Sequence, residues 1–117
     1  MLVGIAGGDA NDPKCLQLVD EQLEFLIKES GIYLFTMFVA GIKGSKHTKP
    51  PLAQQYATLR GLPIKVKEYK TFDTLVKGIC YEVDYLIIIN DKSQEVKRLF
   101  MSYKQTGKHG SMINYGK

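Results

Sequence analysis

The chain alternates short, almost wholly apolar runs with longer amphipathic segments, and this alternation limits the possible folds more than any other feature. The apolar runs are residues 2–6, 33–40 and 85–90. Runs of this length are typical of strands in parallel sheets, which helices cover on both faces. Parallel strands need long crossover connections, and these are right-handed in nearly every case. The pattern therefore predicts a three-layer α/β domain.

Four segments between the strands have the apolar spacing of amphipathic helices, and each has a start or stop signal. The first begins after Asp12 and Pro13, an N-cap and a first-turn proline, and ends at Gly31. The second begins near residues 50–51 and ends at Gly61. The third and fourth run from Phe72 to Val83 and from Ser93, an N-cap, to Gly107.

Two weaker strands complete the pattern and indicate the strand order. Residues 64–69 alternate apolar side chains with lysines, as expected of a half-exposed edge strand, and residues 111–115 form a short last strand. Of the usual orders, 3-2-1-4-5 and 2-1-3-4-5, we favour the first because it makes the most apolar strands central. We expect a Rossmann-like, doubly wound, five-stranded parallel sheet.

Composition excludes several classes of protein. The chain has 117 residues, of which 44% are hydrophobic and 24% charged, so residues 1–117 suit one globular domain. No apolar run approaches the length of a membrane span, and the N-terminus lacks a basic region and a signal-peptide apolar region. We predict a cytoplasmic protein with no membrane partner. Cys15 and Cys80 predict packing rather than a disulfide framework.

The stretch of residues 39–57 is the strongest indication of a binding site. An apolar run reaches Gly41 and Gly44, passes through a basic loop, and enters a helix that starts near two prolines. Backbone amides, a helix N-terminus and cations would converge there, which suits an anion. The spacing matches neither a Walker loop nor the Rossmann dinucleotide fingerprint. We predict a phosphate or nucleotide site without a named ligand.

The carboxyl ends of the strands supply the other candidates, because ligands of open α/β sheets bind beyond those ends. Glycines would let the backbone approach a phosphate, a lysine would neutralise it, and the N-termini of the first two helices would supply amides. Polar side chains would contact a sugar or Mg²⁺. The candidate ligand-binding residues are Gly7, Gly8, Asp9, Gly41, Lys43, Gly44, Ser45, Asn90, Asp91 and Ser93.

Asp9 and Asp91 are the candidates for catalysis. A carboxylate at a strand end can bind a ribose hydroxyl or Mg²⁺, or act as a general acid or base, but it also forms turns and caps. Ser93 has a local alternative of the same kind as an N-cap, and tight turns alone would also account for the glycines. No His or Cys has a partner at metal-ligand spacing, so no dedicated metal site is predicted.

Four short sequence motifs are distributed along almost the whole chain. They are Ile-Ala-Gly-Gly at residues 5–8, Ala-Gly-Ile-Lys-Gly at residues 40–44, and the segments of residues 52–66 and 84–93. Taken in order, they resemble the SLOG superfamily of Rossmann-like nucleotide-binding domains, and most closely its small stand-alone members in bacteria and phages. The resemblance implies a nucleotide or nucleotide-derived ligand at the strand ends. Some relatives are phosphoribohydrolases, but their proline-glycine-glycine-x-glycine-threonine signature is absent here.

Three functions follow from these observations and stay open. The first is binding of a nucleotide or its derivative, with a sensor, sequestering or accessory role. The second is hydrolysis of a nucleotide, with Asp9 or Asp91 as the acid or base. The third is binding of nucleic acid or protein through residues 43–70, which hold seven basic residues and one acidic residue. The net charge of only +4 and the lack of a nucleic-acid-binding motif count against nucleic acid. A homodimer is also compatible with the sequence.

Overall fold

The computed structural model describes residues 1–9, 11–31, 34–44 and 52–115. Strands and helices alternate throughout these residues. No helix in them is both long enough and apolar enough to cross a membrane. In chain order the elements are β1 Leu2–Gly7, α1 Pro13–Ser30, β2 Thr36–Ile42, α2 Leu52–Arg60, β3 Ile64–Tyr69, α3 Phe72–Glu82, β4 Tyr85–Asn90, α4 Gln94–Lys104 and β5 His109–Asn114.

The five strands form one all-parallel sheet in the order β3-β2-β1-β4-β5, which confirms both the Rossmann-like fold and the predicted strand order. The positions follow from the side chains. Residues 85–89 of β4 are all buried, so this strand lies inside the sheet, whereas residues 64–68 of β3 are all exposed at one edge. The hydrophobic effect thus sorts the strands by their apolar content.

The helices form a layer on each face of the sheet. α1 and α2 cover one face, where Val19, Val39 and Ile87 belong to the same buried cluster. α3 and α4 cover the other, where Phe38, Ile79 and Leu99 are buried together. Alternate residues of each strand contribute to opposite faces, as the pleat requires.

The predicted caps of α1 and α4 are confirmed. The carboxylate of Asp12 accepts a hydrogen bond from the Lys14 N–H at 2.9 Å, and Gly31 ends α1 with a φ of 72°. Such a left-handed φ suits glycine, which has no Cβ to clash. Ser93 caps α4 by accepting a hydrogen bond from the Val96 N–H at 3.2 Å.

Two strands differ in extent from the prediction. β2 begins at Thr36 rather than Tyr33, which lies outside the described residues, and continues to Ile42 because its pairing with β3 extends to Ile42 and Tyr69. β5 begins at His109 rather than Ser111, because His109 already pairs with Tyr85 of β4. Strand length is set by the neighbouring strand, which a local pattern does not reveal.

β3 is more exposed than its alternating sequence predicts. Ile64 and Val66 were expected to face the core, yet 38% and 64% of their surfaces are exposed. The reason is that α2 packs over β2 and β1 and leaves this edge uncovered. On the opposite face, Lys65 and Lys67 both donate hydrogen bonds to the Glu82 carboxylate, at 2.9 and 3.0 Å, which ties β3 to the end of α3.

Gly78 lies where α3 crosses β3, and its lack of a side chain makes room for the ring of Tyr69. A Cβ at this position would lie 2.2 Å from the ring. Alanine in a helix interior is ordinarily more stable than glycine by about 1 kcal/mol. We expect Gly78→Ala to have the opposite effect and to lower the free energy of unfolding, measured in urea, by about 1–3 kcal/mol through overpacking.

The control for this prediction is the same substitution in a Tyr69→Ala background. With the ring removed, Gly78→Ala should become neutral or stabilising, since only helix propensity then remains. If Gly78→Ala alone increased the free energy of unfolding, the Tyr69 ring would not occupy the space of a Cβ at position 78.

Candidate functional site

The ladder between β1 and β2 stops halfway along the two strands. Pairing between them includes Leu2 with Thr36, Val3 with Met37 and Gly4 with Phe38, and no further pair follows among the described residues. Beyond this point β1 continues to pair with β4 as far as Gly7, and β2 with β3 as far as Ile42. The sheet is therefore open between β1 and β2 toward the carboxyl ends of these strands.

Backbone polar groups face this opening. In a parallel ladder, alternate residues direct their N–H and C=O groups to the same neighbour. The Thr36 N–H donates to the Met1 carbonyl across the β1–β2 ladder, so by alternation Ala40 and Ile42 face β1, while Ile5 and Gly7 face β2. Buried backbone groups are nearly always hydrogen-bonded, so groups at an open ladder need water or a ligand as a partner.

A pocket of about 600 Å³ occupies the opening. The small side chains of Ala6 and Ala40 leave it room between the two helix layers. Its volume lies within the range of small-molecule and cofactor sites. The lining consists of residues 4–8, residues 38–42, Leu52, Ala53, Phe72, Leu75, Ile79, Leu86, Asp91, Ser93, Glu95, Val96 and Leu99.

Two helix N-termini meet at the pocket. Leu52 and Ala53, the first two residues of α2, line it, and so do Ser93 and Glu95 at the start of α4. The first N–H groups of a helix have no partner within the helix and carry the positive end of its dipole. Both features favour an anion or an oxygen-rich group at this place.

The N-terminus of α1 differs from the expectation. Its Lys14 N–H is bonded to the Asp12 side chain, and the Cys15 N–H to the Asp12 carbonyl. The Asp12 carboxylate also accepts a hydrogen bond from the Tyr115 hydroxyl, which together with the Lys14 amide lowers the pKa of Asp12. No residue of the α1 N-terminus lines the pocket, whereas Ser93 and Glu95 do, so α4 takes the place that the sequence assigned to α1.

Three predicted glycines line the pocket, but they have different structural roles. Gly7 and Gly8 have φ angles of 79° and 81° in the turn after β1, and a Cβ on Gly7 would lie 2.2 Å from the Ile89 carbonyl oxygen. The fold alone therefore requires glycine at both. Gly41 is extended within β2, and a Cβ there would meet no described atom within 4 Å. Its small size is explained by the pocket rather than by the backbone.

The polar candidates divide into two groups. Asp91 and Ser93 line the pocket, and the Asp91 carboxylate accepts a hydrogen bond from the Ser93 N–H at 2.9 Å. Asp9 does not line it, since its carboxylate accepts from the Asn11 N–H in a turn. Asn90 is also outside the lining, and its side-chain oxygen accepts from the Lys92 N–H. Of the two catalytic candidates, only Asp91 is at the pocket.

The basic loop is only partly described. Lys43 and Gly44 are exposed and outside the pocket lining, and the Lys43 N–H donates to the Tyr69 carbonyl. Gly44 has a φ of 81° in a turn. The predicted site residue Ser45 lies outside the described residues. Ile42, the last residue of β2, and Leu52, the first of α2, both line the pocket.

Acidic side chains dominate the described charges of the pocket. Asp91 and Glu95 are the charged residues of its lining. Arg98 lies on the next turn of α4, where it forms an ion pair with Asp73 and stands over the Phe72 ring. A ligand would therefore present hydroxyl groups, amino groups or a bound cation to the α4 side, and its anionic part to the α2 side.

Several lining residues were missed by sequence reasoning. Phe72 and Leu75, in the first turn of α3, and Glu95, at the start of α4, were not among the candidate site residues. The available signal was the set of small residues at Ala6, Ala40 and Gly41, which leaves room for a pocket. It becomes meaningful only once β1 and β2 are known to be neighbours.

A hydrogen-bonded brace between α1 and α2 holds the α2 side of the pocket. The Tyr56 hydroxyl donates to the Asp20 carboxylate at 2.6 Å, and the Arg60 guanidinium forms a further ion pair with it at 3.2 Å. The Tyr56 hydrogen bond, more than Arg60, lowers the pKa of Asp20. Burial and the neighbouring carboxylate raise the pKa of Tyr56 to about 12.

Comparison with known proteins does not identify the chain. A scan against protein-family models found no matching family, and a search of curated proteins found no significant match. The likeness to the SLOG superfamily therefore stays a prediction based on the sequence motifs. The function has to be inferred from the geometry and chemistry of the pocket.

The brace predicts a change in acid stability. Because the pKa of Asp20 is lowered on folding, its carboxylate stabilises the fold at neutral pH, and this stabilisation is lost as the pH falls below about 4. We expect Asp20→Asn to reduce the free energy of unfolding at neutral pH by up to about 1 kcal/mol, since the site is partly exposed. Between about pH 5 and pH 3, the free energy of unfolding of Asp20→Asn should decline less steeply than that of the native chain.

Urea unfolding at several pH values measures both effects. Glu24→Gln, on the exposed side of the same helix, is the matched control and should leave the pH dependence unchanged. If the pH dependence of Asp20→Asn equals that of the control, the brace does not stabilise the fold.

Proposed function

We propose that this chain is a cytosolic protein that binds a nucleotide or nucleotide-derived small molecule in the pocket between β1 and β2. The observation that carries the proposal is the interrupted ladder, which leaves backbone N–H and C=O groups, two helix N-termini and Gly41 around one pocket. The motif likeness to nucleotide-binding SLOG domains supports the same ligand class. A sensor, sequestering or accessory role fits such a site.

The pocket has separate regions for the parts of a nucleotide. Apolar side chains of Phe72, Leu75 and Leu99 provide a surface for a planar base, and aromatic contact adds stabilisation. The phosphate fits the α2 side, where helix amides and the dipole favour negative charge. Asp91 and Glu95 on the α4 side suit ribose hydroxyls, or a Mg²⁺ ion that shares phosphate oxygens.

A hydrolase is the second candidate, and one observation keeps it under consideration. The Asp91 carboxylate lies in the pocket wall, where a general acid or base would have to be. Its bond to the Ser93 N–H also serves to cap the turn before α4, so a purely local role accounts for it equally well. Binding without turnover is therefore the simpler proposal.

The basic segment of residues 43–70 offers less to nucleic acid than its sequence suggests. Lys65 and Lys67 share the Glu82 carboxylate, and Arg60 pairs with Asp20. Charges paired in this way attract phosphate less strongly than free ones. Nucleic-acid binding stays a weaker alternative for this reason.

Thermal denaturation in the presence of nucleotides tests the proposal. The panel is nucleoside mono-, di- and triphosphates, cyclic nucleotides and ADP-ribose, each with and without Mg²⁺. A ligand at about a hundred times its Kd should stabilise the fold by about 2.7 kcal/mol and raise the Tm by several degrees. We expect Gly41→Val to abolish the increase, because the new side chain projects into the pocket.

The variants make the result specific to the pocket. Valine favours strands, so Gly41→Val should fold at least as well as the native chain. Glu68→Val is the matched control, since Glu68 pairs with Gly41 on the neighbouring strand and lies outside the pocket lining. The proposal fails if no nucleotide raises the Tm, or if Gly41→Val responds like Glu68→Val.

A further inference from the structure

The two edge strands of the sheet differ in how they are protected. Edge strands expose unpaired backbone groups that can pair with another chain, and proteins commonly block this with lysines. β3 carries Lys65 and Lys67, whereas β5 has no Lys, Arg, Asp or Glu. One edge of the sheet thus carries lysines that disfavour pairing with another chain, and the other edge does not.

Symmetric pairing of β3 would bring like charges together. In an antiparallel pair, directly opposite residues have their side chains on the same face. Two β3 strands related by a twofold axis at Lys65, Val66 or Lys67 would then place a lysine opposite a lysine. Like charges at opposite positions destabilise a sheet.

Symmetric pairing of β5 meets no such obstacle. The Tyr115 N–H donates to the Asn90 carbonyl of β4, so by alternation the backbone groups of Gly110, Met112 and Asn114 point away from the sheet. With a twofold axis at Ser111, Gly110 of one copy lies opposite Met112 of the other. Both residues direct their N–H and C=O groups outward, so the two can exchange a pair of hydrogen bonds.

Side chains fit the same register. A surface pocket of about 250 Å³ lies between α4 and β5, lined by Ile88, Phe100 and Gly110 among others. Met112 is 42% exposed beside it. Met112 of a second copy would lie opposite Gly110 and can reach this pocket from the opposite strand. Methionine is well suited to fill such an irregular apolar space.

Ser111 would lie on the twofold axis. Its backbone groups face β4, so two Ser111 residues would form a non-hydrogen-bonded backbone pair, in which opposite Cβ atoms are about 4.5–5.5 Å apart. The Ser111 Oγ is covered by its own chain.

The two lysines beside the pocket do not oppose this packing. Lys108 donates three hydrogen bonds to the carbonyl groups of Cys80, Tyr81 and Val83 at the end of α3, at 2.8, 2.8 and 3.2 Å. Its ammonium is therefore directed into its own chain. Lys104 stands over the Phe100 ring at 5.9 Å, at the exposed side of the pocket.

We propose that the chain forms a symmetric homodimer in which the β5 strands of two copies pair antiparallel around Ser111 and continue the sheet. Each Met112 enters the pocket beside Gly110 of the other copy. The interface is at the opposite edge of the sheet from β3, and the proposal does not depend on the identity of the ligand.

Sedimentation velocity of the full chain tests the dimer. We expect a species of twice the 13.2 kDa chain mass. Met112→Lys places a charge at the interface and should weaken dimerisation by about tenfold or more. Val66→Lys, the same type of change at an exposed residue of β3, is the matched control and should leave the dimer intact. A monomeric native chain, or a dimer lost in Val66→Lys and kept in Met112→Lys, overturns the proposal.

Cross-linking tests the register separately. Non-hydrogen-bonded pairs have Cα atoms about 4.5 Å apart, which permits a disulfide. In a Cys80→Ser background, Ser111→Cys should give a covalent dimer on mild oxidation, while Met112→Cys should not, because its symmetry mate is a diagonal neighbour about 7–8 Å away. Cross-linking through position 112 but not 111 overturns the register.

Discussion

The interruption of the β1–β2 ladder is the constraint on which the rest of the site depends. A continued ladder would bring Ile5 and Gly7 against Ala40 and Ile42 and close the pocket. Each strand instead keeps its other neighbour, so β1 stays with β4 and β2 with β3. The two halves of the sheet remain joined at the amino ends, and the cost of the missing hydrogen bonds is confined to one place where a ligand can offset it.

The helices stabilise the two sides of this opening separately. On one face, the contact of Tyr56 and Arg60 with Asp20 fixes α2 against α1. On the other, Tyr69 packs into the gap at Gly78 and positions α3 over β3. Both contacts lie outside the pocket, so the walls are held by groups that a ligand does not touch. Such preorganisation reduces the entropy that binding would otherwise cost.

Local sequence pattern predicted the fold because burial, caps and turns are local properties. Periodicity placed α1 between Asp12 and Gly31, and apolar content placed β4 inside the sheet. The site was predicted only in outline. Gly7, Gly8, Gly41, Asp91 and Ser93 line one pocket as the strand ends implied, but Asp9 turns to its own loop. The end of a ladder depends on residues distant in sequence, so it could not be predicted from local pattern.

The most direct test of the account is amide NMR of the ¹⁵N-labelled chain, titrated with the nucleotide panel and Mg²⁺. If the open ladder is a ligand site, shifts should concentrate at Gly7, Ala40, Gly41, Ala53 and Glu95, all of which line the pocket. The amides of β3 and β5 should change little. An unchanged spectrum with every nucleotide, or shifts centred on Lys65 and Lys67, would contradict the account and favour a surface interaction instead.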